Sequence, residues 1–306
     1  MFGFGTSANK SLFGALIDIS SGSVGVSIVV TSSSVTAPTI LYSNRIYTRI
    51  TEHDFSKEDE LRRIREALFS SCLLLSQEGF PILQKYDSKA KITHTFVTCS
   101  APWAYTLAQH VQYENDIRFK ISENIITDLV QSAIADISTK FKDSTFATKE
   151  GFESVDQITT DIKVNDYEVT DPIGLSGTLV SLSHTVGLVP REIVSGIHEI
   201  HDKLFRNSKL SIHTNILAMS TVLQKLFKTV EHSCLIHVSN EATEFGVYAH
   251  NLLIENTHIS EGINTFVRDI MQTTKKPSTD VESLMQSYTE KSHTSTRELE
   301  DQIEKQ

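Results

Sequence analysis

The sequence predicts an α/β fold in which one unit, a β-hairpin followed by a third strand and a helix, occurs twice around an inserted strand-helix-strand-strand module. Three observations carry that reading. Apolar runs of strand period joined by short polar turns stand near residues 12–47 and again near 234–259. Stripes of helical period follow both. Between them, residues 92–188 hold strand and helix patterns of their own. With 306 residues, 39% hydrophobic and 22% charged, the chain is long enough for more than one core. Its net charge of −10 argues against a nucleic-acid backbone as main partner. No apolar run is long enough to span a bilayer, and Met1-Phe2-Gly3-Phe4-Gly5 lacks the basic and apolar regions of a secretory signal. Cys72, Cys99 and Cys234 lie beside apolar residues with no CxxC spacing, so they read as buried thiols of a reducing, cytoplasmic compartment.

The elements follow in order. Leu12 to Ile17 and Val24 to Val30 make the first hairpin, the second run alternating as Val24, Val26, Ile28, Val30. Asp18, Ser20, Ser21, Gly22 and Ser23 between them are turn chemistry. Thr39 to Tyr47 is the third strand. Ser56, with Asp59 three positions on, caps a helix whose Leu61, Ile64, Leu68, Cys72 and Leu75 face the sheet; Gly79 and Pro81 close it. Ile92 to Cys99 is a strand leading to Trp103, an anchor for its loop. Ser122 caps a helix with a broad apolar face from Ile125 to Ile137, and residues 142–156 read as a loop. Strands are predicted at 158–169 and 178–186 across the Pro/Gly turn 171–177. Helices follow at 191–205 and 215–227, then strands at 234–238, 245–248 and 251–259 and a helix from about Gly262. Thr279 and Glu282 form another capping box, for a helix carrying Val281, Leu284, Met285 and Tyr288. Beyond Glu290 the chain is nearly all polar, and the second unit stops short of completing its sheet, as a fragment would. The expected division is 1–91 plus 189–231, an insertion at 92–188, and the start of a second unit at 232–306.

An Asp at a hairpin tip followed by small hydroxyl residues can hold a hydrated Mg²⁺ and offer amides and hydroxyls to a phosphate; it can equally be a solvent-facing turn. His198-Glu199-Ile200-His201 has its histidines at i, i+3, which is not the i, i+4 spacing of zinc hydrolases, and reads as a surface helix. No nucleophile elbow or Walker-type loop is present.

Asp18-Ile19-Ser20-Ser21-Gly22-Ser23 resembles the first phosphate motif of the actin-like ATPase superfamily, and Ile236 through Val247 stands where the second belongs. The insertion between them makes the arrangement similar to the FtsA/PilM type, actin homologues of bacterial cell division and type IV pilus assembly. Val164-Asn165-Asp166-Tyr167 before Asp171-Pro172-Ile173-Gly174-Leu175, Leu217-Ala218, and Ile259-Ser260-Glu261-Gly262-Ile263-Asn264 leading to Arg268-Asp269-Ile270 match that type locally. The resemblance implies an actin-like, ribonuclease H-like duplicated fold with ATP and Mg²⁺ gripped by two hairpins. Asp18 would orient Mg²⁺ through water; Ser20, Ser21, Gly22, Ser23, Ser239, Asn240 and Thr243 would contact the nucleotide. It also implies a cytoplasmic scaffold, held at the inner membrane face through protein partners of the division or pilus machinery, with self-association. The second motif departs from the pattern. His237 replaces its opening Asp, Ser239 and Asn240 replace a Gly pair, Ala242 and Thr243 stand for Thr-Thr, and Ser20 takes a Gly place in the first motif. A neutral imidazole cannot replace a carboxylate on Mg²⁺-bound water, so hydrolysis is expected to be degenerate. Glu241 or Glu244 is the substitute carboxylate to test. An active small-molecule phosphotransferase of the same superfold, or an interaction module without nucleotide, is the alternative.

Overall fold

The computed structural model describes residues 11–32, 37–48, 57–142, 151–227, 230–250 and 252–287. Its first hairpin is longer than its apolar runs. β1 (Leu12–Ser20) and β2 (Ser23–Thr31) pair antiparallel in full, so Asp18 and Ser20 belong to the strand and only Ser21-Gly22 turns. Gly22, at φ 76°, takes the left-handed conformation that such a turn requires. β3 (Thr39–Tyr47) adds to β2 over the predicted residues. α1 (Lys57–Leu74) then buries Leu61, Ile64, Leu68 and Cys72 against Val24, Val26 and Ile28. Ser56, its proposed cap, lies outside the described residues.

Gly79 and Pro81 do not close this helix. The chain passes through a π-helical turn (Leu75–Gly79) into α2 (Phe80–Tyr86), with Pro81 in the first turn of α2. The widened turn breaks the i→i−4 ladder, so a residue without an N–H is accommodated there. Gly79 is explained by packing: a Cβ on it would come within 3.0 Å of both Ile28 and Tyr42.

β4 (Ile92–Cys99) runs parallel to β1 in the first sheet, although the sequence assigns it to the insertion. The inserted sheet starts instead with β5 (Tyr105–Lys120), which the sequence reading missed because its outer half, Gln112 to Arg118, is polar and largely exposed. α3 (Glu123–Lys142) follows, with Ser122 Oγ accepting the Ile125 N–H at 3.4 Å as its cap. β6 (Phe152–Val164) begins inside the predicted loop, and its continuation is broken by Asn165 and Asp166, both at positive φ. That two-residue turn leads to β7 (Tyr167–Glu168), and β8 (Ser176–Pro190) returns through the middle of the sheet. The order is β5-β8-β6-β7, with Leu129 and Ala133 of α3 packed on Val111, Val180 and Leu182.

α4 (Arg191–Leu204) forms over the predicted residues and buries Ile193, Ile197 and Ile200, spaced by four and three. β9 (Lys209–Thr214), unpredicted because only Leu210 and Ile212 are apolar, lies parallel to β4. α5 (Asn215–Leu226), β10 (His232–Val238), β11 (Thr243–Ala249), β12 (Leu252–Ile259) and α6 (Ile263–Thr274) follow as expected. α7 (278–287) starts at Pro277, whose carbonyl accepts the Val281 N–H, so Thr279 is inside the helix and not its cap. Tyr288 and the polar tail lie outside the described residues. Cys72 and Cys99 are buried, but Cys234 is exposed on the outer strand β10, contrary to expectation.

The first sheet has the order β3-β2-β1-β4-β9: an antiparallel meander extended by two parallel strands, each reached through a helical crossover. β10-β11-β12 followed by α6 repeats the meander and its helix. This is the actin-like, duplicated α/β architecture with an inserted four-stranded sheet. The three sheets meet at a polar joint. Thr106 Oγ1 donates to Thr214 Oγ1 at 2.8 Å, Asn256 Oδ1 accepts the Thr106 N–H at 3.3 Å, and Asp156 accepts the Thr214 N–H at 3.1 Å.

Candidate functional site

The β1–β2 turn and the β10–β11 turn face each other, as the two jaws of a phosphate site should. They are in direct contact. The Ser21 and Ser239 hydroxyls lie 2.6 Å apart, and Ser21 Oγ accepts the N–H groups of Glu241 (2.7 Å) and Ala242 (3.1 Å). Ser239 Oγ donates to the Ala242 carbonyl at 2.8 Å, which leaves the Ser21 proton for Ser239 and satisfies the whole network. Both serines are buried. A Cβ on Gly22 would stand 2.9 Å from the Asn240 Cβ, so the turns touch on this side too. The cavity left beside them, lined by Gly22, Thr48, Trp103 and Glu241, measures about 30 Å³.

The remaining predicted ligands have partners of their own. Asp18 is held by Arg45, Nη2 to Oδ2 at 2.5 Å, and by Thr98 Oγ1 at 3.1 Å. Arg45 Nη1 also donates to Ser23 Oγ at 2.9 Å. Its guanidinium lies over Gly25, where a Cβ would come within 2.7 Å of Nη2, so the glycine opposite Arg45 in the β2–β3 register makes the pair possible. Ser20 is buried and its carbonyl accepts the Trp103 indole N–H at 3.2 Å, which makes Trp103 the loop anchor the sequence indicates. Gly22 O accepts the Thr48 N–H at 2.8 Å. Asn240 O and Ser239 O accept the N–H groups of Asn264 (2.8 Å) and Ile263 (3.0 Å), so the first turn of α6 is spent on the β10–β11 turn. Thr243 Oγ1 donates to Glu261 O at 2.7 Å.

His237 sits on the second jaw within the fields of Asp18 and Arg45. Burial holds its imidazole below the ordinary histidine range; the Asp18 charge opposes that and the Arg45 charge adds to it. Its Nδ1 is buried without a hydrogen-bond partner among the described residues. Neither substitute carboxylate is free for a metal: Glu241 pairs with Arg268 at 2.9 Å and accepts from Asn264 Nδ2 at 2.6 Å, and Glu244 points to the joint between the sheets, towards Ala101 N and Asn256. His201, from the His198–His201 pair, is bonded to Ser208.

Mg²⁺ and ATP therefore do not fit these residues as arranged. The Arg45 guanidinium stands beside Asp18 where a hydrated cation would stand, and the Ser21 hydroxyl and the Glu241 and Ala242 amides that would face phosphate face each other. Sequence reading missed Arg45. Its signal was a glycine, Gly25, inside an otherwise β-branched strand, and that signal acquires a meaning only with the strand register.

No family model matches the chain, and no characterised protein matches it in sequence. Among solved structures, it is similar to the PilM–PilN type IV pilus biogenesis complex at 10% identity, covering 90% of this chain and 69% of that one with a TM-score of 0.49. It is similar to a Bacteroides thetaiotaomicron protein with an actin-like ATPase fold at 7% identity, covering 86% and 76% with a TM-score of 0.41. For the ethanolamine utilization protein EutJ from Carboxydothermus hydrogenoformans the identity is 7%, the coverage 89% and 60%, and the TM-score 0.35. Superpositions this loose do not assign a fold by themselves; the strand order of the first sheet and the repeated meander do.

Proposed function

We propose that this chain is an actin-fold scaffold of the FtsA/PilM type that works by binding proteins and takes no part in nucleotide turnover. One observation carries the reading: the two turns that should part around a phosphate are joined through Ser21, Ser239 and the amides of Glu241 and Ala242. Opening them would break the hydrogen bonds that the half-buried Glu241 N–H and the buried Ala242 N–H make to Ser21, worth about 0.5–1.5 kcal/mol each. The Asp18–Arg45 pair supports the same conclusion from the metal side.

A phosphotransferase of the same superfold needs a carboxylate at position 237 and a cleft that admits a phosphate; His237 and the closed turns disfavour it. In this reading the chain comprises a first actin-like unit, the inserted unit of β5–β8 with α3, and the start of a second actin-like unit. The inserted unit is the partner surface. Its outer end carries Ile117 and Tyr167, each 77% exposed, with Ile173 and Leu175 exposed in the adjoining turn. The scaffold belongs in the cytoplasm, reaching the membrane through its partners, and no helix among the described residues is long and apolar enough to cross one. Titration of the protein with a fluorescent ATP analogue, with and without Mg²⁺, followed by a phosphate-release assay, tests the proposal. No saturable binding and no release are expected. Mg²⁺-dependent binding that Asp18→Ala abolishes would overturn it.

A further inference from the structure

At the far end of the second meander, away from the joined turns, Glu231, His232 and His250 bring three metal-ligating side chains together. One donor atom from each lies within 4.8 Å of the others, and all three residues are exposed. The backbone sets this up. The Glu231 carbonyl accepts the His250 N–H at 2.6 Å, extending the β10–β11 ladder one step beyond the His232–Ala249 pair. His250 leaves β11 at φ 49°, a left-handed conformation in which Asn or Gly would be less strained. The two imidazoles meet edge to face with centroids 4.9 Å apart.

We propose that these three residues form a binding site for a first-row transition ion of the Zn²⁺ type. Two imidazole nitrogens and one carboxylate oxygen match that ion, whereas Mg²⁺ and Ca²⁺ take oxygen alone. Tetrahedral ligands at zinc bond lengths stand ~3.3 Å apart, a closure that exposed side chains reach by rotation. The fourth position is left to water or to a donor from a partner. Bound metal would clasp the end of β10 to the exit of β11.

Equilibrium dialysis of the chelator-treated full chain against Zn²⁺ at pH 7.5 tests the site. One ion per chain is expected. His232→Ala and His250→Ala should each weaken binding by more than about 100-fold, since loss of even an outer-shell partner costs about 10–100-fold. Cys234→Ser, the exposed thiol nearby in β10, should leave it unchanged. Co²⁺ in place of Zn²⁺ should give tetrahedral visible bands without a thiolate charge-transfer band. Absence of binding, or binding that survives loss of both histidines or depends on Cys234, overturns the proposal.

Discussion

Glu244 gives the most quantitative test of the packing between the sheets. It is 2% exposed, and among the described residues the only hydrogen bonds to its carboxyl are long ones, from the Ala101 N–H at 3.5 Å and Asn256 Nδ2 at 3.4 Å. Burial pushes its carboxyl up from 4.5 to about 7, against the pull of those two bonds. Below pH 4.5 the group is protonated in both folded and unfolded chains and contributes no pH dependence. Between 4.5 and 7 the unfolded chain releases the proton while the folded chain keeps it, so stability falls as pH rises through this window. At ~1.4 kcal/mol per unit of pKa, the loss amounts to about 3 kcal/mol above pH 7. Glu244→Gln removes it and gives up about 1 kcal/mol, because the two donors reach different carboxyl oxygens and an amide turns its NH2 group toward one of them. Relative to the parent, the variant should be about 1 kcal/mol less stable at pH 4.5 and about 2 kcal/mol more stable at pH 8, the latter a rise of roughly 4 °C in Tm for a chain of this size. Urea unfolding of both proteins across pH 4.5–8 measures the difference directly, and other carboxylates cancel. A difference that stays flat over this range, or a variant less stable at pH 8, would refute the reasoning.

Two further predictions concern the joined turns. Ser21→Ala leaves the Glu241 and Ala242 N–H groups unpaired and should cost about 2–4 kcal/mol in urea unfolding; Ser239→Ala should cost about 1 kcal/mol, with a double-mutant coupling of roughly 0.5–3 kcal/mol. Amide exchange at Glu241 and Ala242 should accelerate in Ser21→Ala and remain slow in Ser239→Ala. Gly262→Ala would place a Cβ 2.4 Å from Ser239 O and 2.5 Å from Asn240 O, detaching α6 from the turn, and should cost about 3 kcal/mol or more. Gly196→Ala in α4, whose nearest neighbour would be Leu68 at 3.8 Å, should instead stabilise by about 0.5–1 kcal/mol, and equal effects of the two substitutions would contradict this packing.

What could be read from sequence follows from where the physical signal is local. β1, β2, β3 and the β10–β12 meander announce themselves because one or both faces are apolar at strand period. β5 and β9 do not, because β5 is half solvated and β9 has only Leu210 and Ile212 to bury; their pairing with β8 and β4 supplies the stabilisation, and that pairing is non-local. The asymmetry is sharper at the site. Asp18 and Ser21 were identifiable from a resemblance, and His237 and Ser239 as departures from it. What those residues touch was not identifiable: Arg45 reaches Asp18 from 27 positions away through the β2–β3 register, and Ser21 meets Ser239 across 218. From sequence the departures look like losses. In space the turn residues and the nearby carboxylates find partners, whereas the His237 Nδ1 has none among the described residues. A lone Asp18 without Arg45 would be an unpaired charge, Glu241 without Arg268 another, and Ser21 without the second turn would leave its hydroxyl, Glu241 N–H and Ala242 N–H unsatisfied. The mutual satisfaction of Ser21, Ser239 and the Glu241 and Ala242 amides supports the proposed reading of the two turns as a joint.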